Sequence, residues 1–185
     1  MNVSVVRSLP EEQWRSFVQA HPHGNIFHTP EMFEVFRRAE GHHPGLWAAT
    51  RQGQILALLL PVNITLMGGL LRPLTTRSVV YGSVLCAEGA EGQEALRVLL
   101  RTYVQEMNGS LLFTELRNLS DLEEIQPVLI GGNFAYEDHL NYLIDLSPSP
   151  EEVLQSLGRR TRKHIRRGLR QGDVNVEVMT ERAGV

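Results

Sequence analysis

The densest chemistry in this chain lies near its C-terminal end. Between Arg159 and Arg170 stand six Arg and one Lys, with no acid among them. These seven are drawn from 18 basic residues, so the rest of the chain sets 11 basic residues against 21 acidic ones, and the net charge of −3 conceals a localised positive segment. Guanidinium groups offer fixed forks of N–H donors that match phosphate and carboxylate oxygens two at a time. On a helix, Arg159, Lys163, Arg166, Arg167 and Arg170 recur at spacings of three and four, so several share one face, while Ile165 and Leu169 anchor another stripe. Such a face suits a diphosphate or a nucleic-acid backbone. It equally suits a solvated surface, or one paired with the chain's own acids, and both readings stay open on pattern alone. Lys163 is the single lysine of the sequence.

Other reactive side chains are sparser. Cys86 is the only cysteine, which rules out an internal disulfide and is expected to be a buried thiol rather than a nucleophile. His21 and His23, and His42 and His43, sit beside Pro and Gly in expected loops with no cysteine partner, so no metal site is expected. Tyr81 and Gly82 close a strand, and Tyr81 reads either as a packed ring or as a substrate contact. Glu115, Arg117 and Asn118 end another strand, where Arg117 can pair with Glu115 or cap the next helix. His139 precedes a further strand and reads as structural. No residue carries a catalytic assignment from pattern.

These groups must be positioned by a mixture of strands and helices. Val3 to Val6 reads as a strand. Pro10 to Ala20 reads as a helix with acids in its first turn and a Trp14, Phe17, Val18 stripe. A second helix opens at Thr29 and Pro30, with Met32, Phe33 and Phe36 on its apolar face, and stops at Gly41. Strands Gly45 to Thr50 and Gln54 to Leu66 flank the turn Arg51-Gln-Gly-Gln, and Pro61 should break the second with a bulge or an edge position. Gly68 and Gly69 mark another turn, and Ser78 to Leu85 reads as a strand. Gly92 to Met107 reads as a helix and Leu111 to Leu116 as a strand. Ser120 with Glu123 forms a capping-box pattern, predicting a helix that Pro127 interrupts. Asn141 to Leu146 is expected as a strand, Ser147 to Leu157 as a helix, Thr161 to Arg170 as the basic helix, and Val174 to Val178 as a strand. Strands joined by a four-residue turn are antiparallel, which excludes a doubly wound parallel sheet. The fold class is therefore α/β in the α+β sense: a mixed, largely antiparallel sheet flanked by helices.

At 185 residues, 42% apolar and 21% charged, the chain can bury a core of ordinary size. No apolar run approaches the ~20 residues of a membrane span, and the first residues lack a signal-peptide pattern, so a cytoplasmic protein is expected.

Three stretches together resemble the FemA/FemB/FemX transferases and their broader GNAT-like relatives. They are Asn25-Ile-Phe-His-Thr-Pro-Glu-Met-Phe; Thr114-Glu-Leu-Arg-Asn-Leu with Gly132-Asn-Phe and Tyr136 to Leu146; and Glu151 to Leu157 followed by Arg160-Thr-Arg-Lys-His-Ile-Arg-Arg-Gly. The resemblance implies a GNAT-like lobe over 1–148. Over 149–185 it implies linking helices and the first strand of an incomplete second GNAT-like lobe, as a fragment, a truncated gene or a frameshifted tail would give.

It also implies transfer of an acyl or aminoacyl group onto an amine, with acyl-CoA or aminoacyl-tRNA as co-substrate and no permanently bound cofactor. An anionic or lipid-linked acceptor, such as a cell-wall or polysaccharide precursor, would be the partner, and peripheral membrane contact is compatible with it. By the same resemblance Arg37 stands near a phosphate-contacting lysine of relatives, with Arg38 competing, and Tyr81 lies in a Tyr-Gly loop beside the cleft. The substrate-binding candidates are thus Arg37, Tyr81, Arg159, Lys163 and Arg166. A non-catalytic anion- or RNA-binding module and an inactive remnant are the competing expectations. The absence of aromatics between Arg159 and Arg170 weighs against single-strand nucleic-acid binding.

Overall fold

The structure is a computed structural model that describes residues 3–67, 69, 72–138 and 144–172. His139, the proposed strand residues 141–143, Gly68 and the strand expected at Val174 to Val178 lie outside the described residues. The chain falls into two compact units, 1–137 and 138–185.

The first unit is built on two long antiparallel runs that are each interrupted once. Strand β1 (Ser4–Val6) pairs with β3 (Trp47–Arg51), and β3 pairs with β4 (Gln54–Leu59). Gln52 and Gly53, both with positive φ, make the tight turn between β3 and β4 that right-handed strand twist favours. After Leu60 and Pro61 the chain resumes as β5 (Val62–Thr65). Pro61 lacks the N–H that a ladder needs, so the expected break occurs there. On the return, β6 (Thr76–Tyr81) pairs with β5 and β7 (Leu85–Cys86) pairs with β4. The single strand expected over Ser78 to Leu85 is therefore two, parted at Gly82–Val84 opposite the proline break. Among the described residues two four-stranded sheets result, β1-β3-β4-β7 and, with β2 at His42–Pro44 and β8 at Thr114–Arg117, β2-β5-β6-β8. Strand β2 (His42–Pro44) was expected as loop; it forms because its backbone finds β5 as an antiparallel partner. Strand β8 (Thr114–Arg117) runs parallel to β6, with α4 (Gly89–Met107) as the crossover.

Helices cover both faces of the first sheet. Helix α4 packs Ala95, Leu96, Leu99, Leu100 and Tyr103 against Trp47, Ala49, Ala57 and Leu59. The alternate residues Ala48, Leu58 and Leu60 turn to the other face, where Trp14 and Val18 of α1 (Glu11–Ala20) meet them. This alternation is the two-residue period of a strand buried on both sides. Tyr103 meets Trp47 edge to face at 5.1 Å, and its hydroxyl donates to the Ser78 hydroxyl at 3.0 Å and shares a hydrogen bond with the Thr114 hydroxyl at 3.0 Å. It thereby pins β6 to β8. Helix α2 (Pro30–Arg38) has Thr29 as N-cap, its hydroxyl accepting from the Met32 N–H. The remaining helices of this unit are the short α3 (Arg72–Thr75) and α5 (Gln126–Gly131). The helix expected from Ser120 begins only at Gln126. Asp121 accepts from the Glu123 N–H and makes a turn instead, and Pro127 occupies a first-turn position of α5 where its missing N–H costs nothing.

The second unit has two described helices. Helix α6 (Pro150–Ser156) has a capping box in which the Ser149 hydroxyl accepts from the Glu152 N–H and the Glu152 carboxylate reaches back to the Ser149 N–H. Helix α7 (Arg159–Gln171) is the basic helix and ends at Gly172, whose φ of 68° suits a residue without a Cβ. Residues 144–146, expected as the end of a strand, are not in one.

Candidate functional site

Strands β6 and β8 are the parallel pair among the described residues, and their register ends at Tyr81 opposite Arg117. Beyond it, the chain after β6 turns away to pair with β4, while β8 stops. In open sheets the ends of parallel strands are where ligands lodge, because the departing strands leave a crevice. The sharp turn that parts them is Gly82–Ser83, with φ of 77° and 70°.

That turn is held from below by the segment before α2. Asn25 caps a 3-10 turn at Ile26–His28, its side-chain oxygen accepting from the Phe27 N–H. His28 is fully buried. Its Nδ1 accepts from the Asn25 N–H, so the ring proton sits on Nε2 and is donated to the Ser83 carbonyl at 3.2 Å. Trp14 donates its indole N–H to the His28 carbonyl at 2.6 Å. Burial holds the His28 pKa down at about 4, so the ring is neutral near pH 7. With both nitrogens committed and the ring shut off from solvent, it is a brace and not a base. Gly82 fits against this brace because it has no side chain. A Cβ there would stand 2.7 Å from Asn25 Oδ1 and 3.0 Å from His28 Cε1.

Above the turn lies an aromatic row. Tyr81 stacks with Phe27 at 5.6 Å and with Phe36 of α2 at 5.2 Å, and Phe36 stacks with His42 of β2 at 6.2 Å. The Arg117 guanidinium stands 5.3 Å from the Tyr81 ring centre and is paired with Glu115 at 2.9 Å, which raises the Arg117 pKa further. Register places Tyr81, Val79 and Arg77 of β6 on one face with Glu115 and Arg117 of β8, the face opposite Ser78, Val80 and Tyr103. Two buried polar atoms beside the turn, Ser83 Oγ and Asn118 Oδ1, have no hydrogen-bond partner.

Arg37 leaves α2 one residue after Phe36, but its guanidinium is engaged by Glu34 at 2.6 and 2.9 Å, and Glu34 also takes Arg38 at 2.6 Å. The two arginines hold the Glu34 carboxyl down at about 2. Cys86 is buried, and desolvation pushes its thiol up to about 11, so it is protonated at neutral pH. Among the described residues no three His, Cys, Asp or Glu side chains gather as metal ligands.

In the second unit, α7 carries its cations largely uncompensated. Arg166 pairs with Glu151 of α6 at 3.0 Å. Arg162 donates to the Gln155 carbonyl, Arg167 to the Gln171 side chain and Arg170 to the Arg166 carbonyl. Arg159, Arg160 and Lys163 are exposed and make no ion pair among the described residues. Of the sequence candidates, Arg37 and Tyr81 belong to the first unit and Arg159, Lys163 and Arg166 to one helix of the second. Sequence reasoning passed over the brace residues Asn25 and His28. The available signal was Asn25 three residues before His28, the spacing of a reciprocal cap.

No protein-family model matches the chain, and no protein of curated function matches it. Solved structures do. FemX superposes with a TM-score of 0.57 at 17% identity, over 91% of this chain and 44% of FemX, so the chain spans less than half of that protein. Ribosomal-protein-alanine N-acetyltransferase from Brucella melitensis biovar Abortus 2308 gives 0.51 at 9% identity, over 78% of this chain and all of that one. A Trypanosoma brucei acetyltransferase gives 0.50 at 14% identity, over 78% of this chain and all of that one. At these identities the likeness is one of fold. The chain has the mixed, largely antiparallel α/β fold of GNAT acetyltransferases, which FemX shares.

Proposed function

We propose that this chain is part of an acyl- or aminoacyltransferase that forms an amide on an amine acceptor bearing an anionic group. The observation that carries the reading is the GNAT-like fold together with the parting of the parallel strands β6 and β8 at Tyr81 and Arg117. In the reaction a neutral amine attacks an ester or thioester carbonyl. The N–C bond forms, the C–O or C–S bond breaks, and the amine gives up a proton to a base or a water chain. Holding two substrates in contact supplies much of the rate in such transfers, and the developing oxyanion needs fixed N–H donors. The aromatic row and Arg117 offer a rigid wall for positioning. Cys86 and His28 offer neither nucleophile nor base, because burial keeps the thiol protonated and both imidazole nitrogens are committed. Acyl-CoA and aminoacyl-tRNA are both compatible donors, and a cell-wall or polysaccharide precursor is a compatible acceptor.

The anionic part of the acceptor is assigned to α7, with Arg159 and Lys163 as the free cations and Arg166 as a partly engaged third. What supports this is a single carboxylate partner, among the described residues, for seven basic residues. The test is calorimetric titration of the full chain with pyrophosphate at low salt. The double change Arg159→Gln with Lys163→Gln should weaken binding by tenfold or more and leave the denaturation midpoint unchanged. Equal affinity in the variant would remove α7 from the site. Transfer of a radiolabelled acyl group from acetyl-CoA or an aminoacyl-tRNA to a diphosphate-linked amine tests the reaction class. A chain that binds neither donor would lose the transferase reading.

A further inference from the structure

Helix α4 carries a polar stripe at four-residue spacing, Gln93, Arg97, Arg101 and Gln105, beside the face it packs on the sheet. Helix α5 packs on α4 and is tied to it at both ends. Before α5 begins, the Gln93 side chain donates to the Glu124 carbonyl at 3.3 Å. After it ends, Gly132 sits so close to α4 that a Cβ would stand 3.1 Å from Leu100 Cδ1. Beside that contact the rest of the stripe lines a cleft of about 220 Å³, whose other wall is formed by Val128 and the chain through Asn133.

The polar lining of the cleft is one-sided. It holds the guanidinium groups of Arg97 and Arg101 and the carboxamides of Gln105 and Asn133, with no Asp or Glu. The side chains of Arg101, Gln105 and Asn133 make no hydrogen bond or ion pair among the described residues. Arg97 gives one nitrogen to Glu94 at 2.8 Å, in a half-exposed pair that leaves its other N–H groups over. The cations are not there to cap α5. The carbonyls of Val128, Leu129 and Ile130 already accept from the N–H groups of Gly132, Phe134 and Asn133 at 2.9–3.0 Å. Asn133 stands at a φ of 69°, where glycine would fold with less strain, so a carboxamide is present at the cleft at some cost.

Size and charge narrow the ligand. The cleft is smaller than the ~300–1,000 Å³ of pockets that enclose drug-sized molecules. A phosphate monoester carries a charge of about −1.5 to −2 at neutral pH and three acceptor oxygens, which matches two guanidinium groups. A carboxylate would leave one of them uncompensated. Val104 and Val128 give an apolar wall for a short organic stem. We propose that the cleft between α4 and the end of α5 binds the phosphoryl group of a small phosphate ester, with Arg101 and Arg97 as its cations and Gln105 and Asn133 as further donors. This does not depend on the transferase reading, and it uses none of the residues assigned to that function.

Because α7 can also attract phosphate, the experiment must read the cleft itself. The full chain, labelled with nitrogen-15, is titrated with phenyl phosphate at low salt, and the amide signals of Gly131, Gly132 and Asn133 are followed. They should shift to saturation, and the ligand should protect Arg101 from phenylglyoxal, read by peptide mass. Arg101→Gln should weaken the binding at these amides about tenfold, as expected when a charged hydrogen-bond donor is lost. Its exposed, unpaired guanidinium makes that variant safe for folding. Glu94→Gln should tighten the binding severalfold, since it frees Arg97. Glutamine at Arg159 and Lys163 should leave the three signals and their titration unchanged. Shifts confined to α7, or equal affinity in Arg101→Gln, would overturn the proposal. Benzoate binding as tightly as phenyl phosphate would overturn the assignment to phosphate.

Discussion

The turn at Gly82–Ser83 and the helix α7 handle polar groups in opposite ways. At the turn the bracing groups are tightly determined, although Ser83 Oγ is left without a partner: His28 is buried and neutral with both nitrogens used, Asn25 caps, Trp14 fixes the His28 carbonyl, and Gly82 has no room for a methyl group. On α7 no residue is buried, and three of the seven cations have no ion pair or hydrogen-bond partner among the described residues. The first region can hold a shape to fractions of an ångström because burial removes its alternatives. The second holds only a charge density, and its side chains stay free to adapt. The contrast predicts that changes at the turn will register as stability and changes on α7 as salt-dependent binding.

The sharpest break would come from glycine. Gly82→Ala forces a left-handed conformation on alanine and drives its Cβ into Asn25 and His28, so it should cost about 3 kcal/mol or more in chemical denaturation. Gly172→Ala meets open space at the same φ class and should cost about 1 kcal/mol of α7 end stability, visible as local amide exchange without a change in global unfolding. Equal costs at the two glycines would show that the turn is not the more tightly built region.

Titration comes next. The folded His28 pKa of about 4 lies below its unfolded value of 6.5, so the unfolded chain takes up the proton first. The stabilisation is complete above pH 6.5, is lost progressively as pH falls, and levels off below about 4, a total of about 3 kcal/mol. Urea midpoints across that window should show the fall, and His28→Gln should flatten this part of the profile from a lower starting stability. A wild-type profile without slope between pH 6.5 and 4 would mean that His28 is hydrated in solution.

Most of the frame was readable from residues. Thr29–Pro30 announced α2, Gly172 closed α7, and Pro61 announced the break in the second long run. The partner break at Gly82 was signalled by the resemblance to a Tyr-Gly loop alone, because Val79, Val80, Val84 and Leu85 on either side read as one strand. Only the tertiary brace from Asn25 and His28 turns it. The capping pattern at Ser120 misled for a related reason: Asp121 offers its carboxylate to the nearby backbone and captures the chain as a turn before a helix can start. Tyr81 could be singled out, but its stacking partners come from residues 27, 36 and 117, and no local spacing brings those together. The charge of α7 was plain in sequence, while its having one carboxylate partner, Glu151, among the described residues was a fact of the fold.

A smaller effect tests how firmly the crevice strands are joined. Tyr103→Phe removes the hydroxyl shared by Ser78 of β6 and Thr114 of β8 and leaves the ring against Trp47. A loss of about 1–2 kcal/mol is expected, since buried partners lose a hydrogen bond while packing is kept. Hydrogen exchange should rise at β8 more than at β4. Uniform acceleration would mean that the two strands are pinned by their ladder alone.

The smallest expected effect decides where the anion lies. Arg37 is held by Glu34, a carboxylate that stays ionised throughout the neutral range because two arginines hold its pKa at about 2. Removing the arginine as Arg37→Ala leaves Arg38 on the same carboxylate, so the denaturation midpoint should not move measurably. Pyrophosphate affinity should change less than twofold if α7 is the grip. Glu34→Gln is the complementary change, since it releases Arg37 without removing it. If a bound anion lay beside the aromatic row, that release would tighten binding, and Arg37→Ala would then weaken it severalfold. Such a pair of results would move the anion from the adaptable helix to the rigid wall, and the division of labour between the two regions would have to be redrawn.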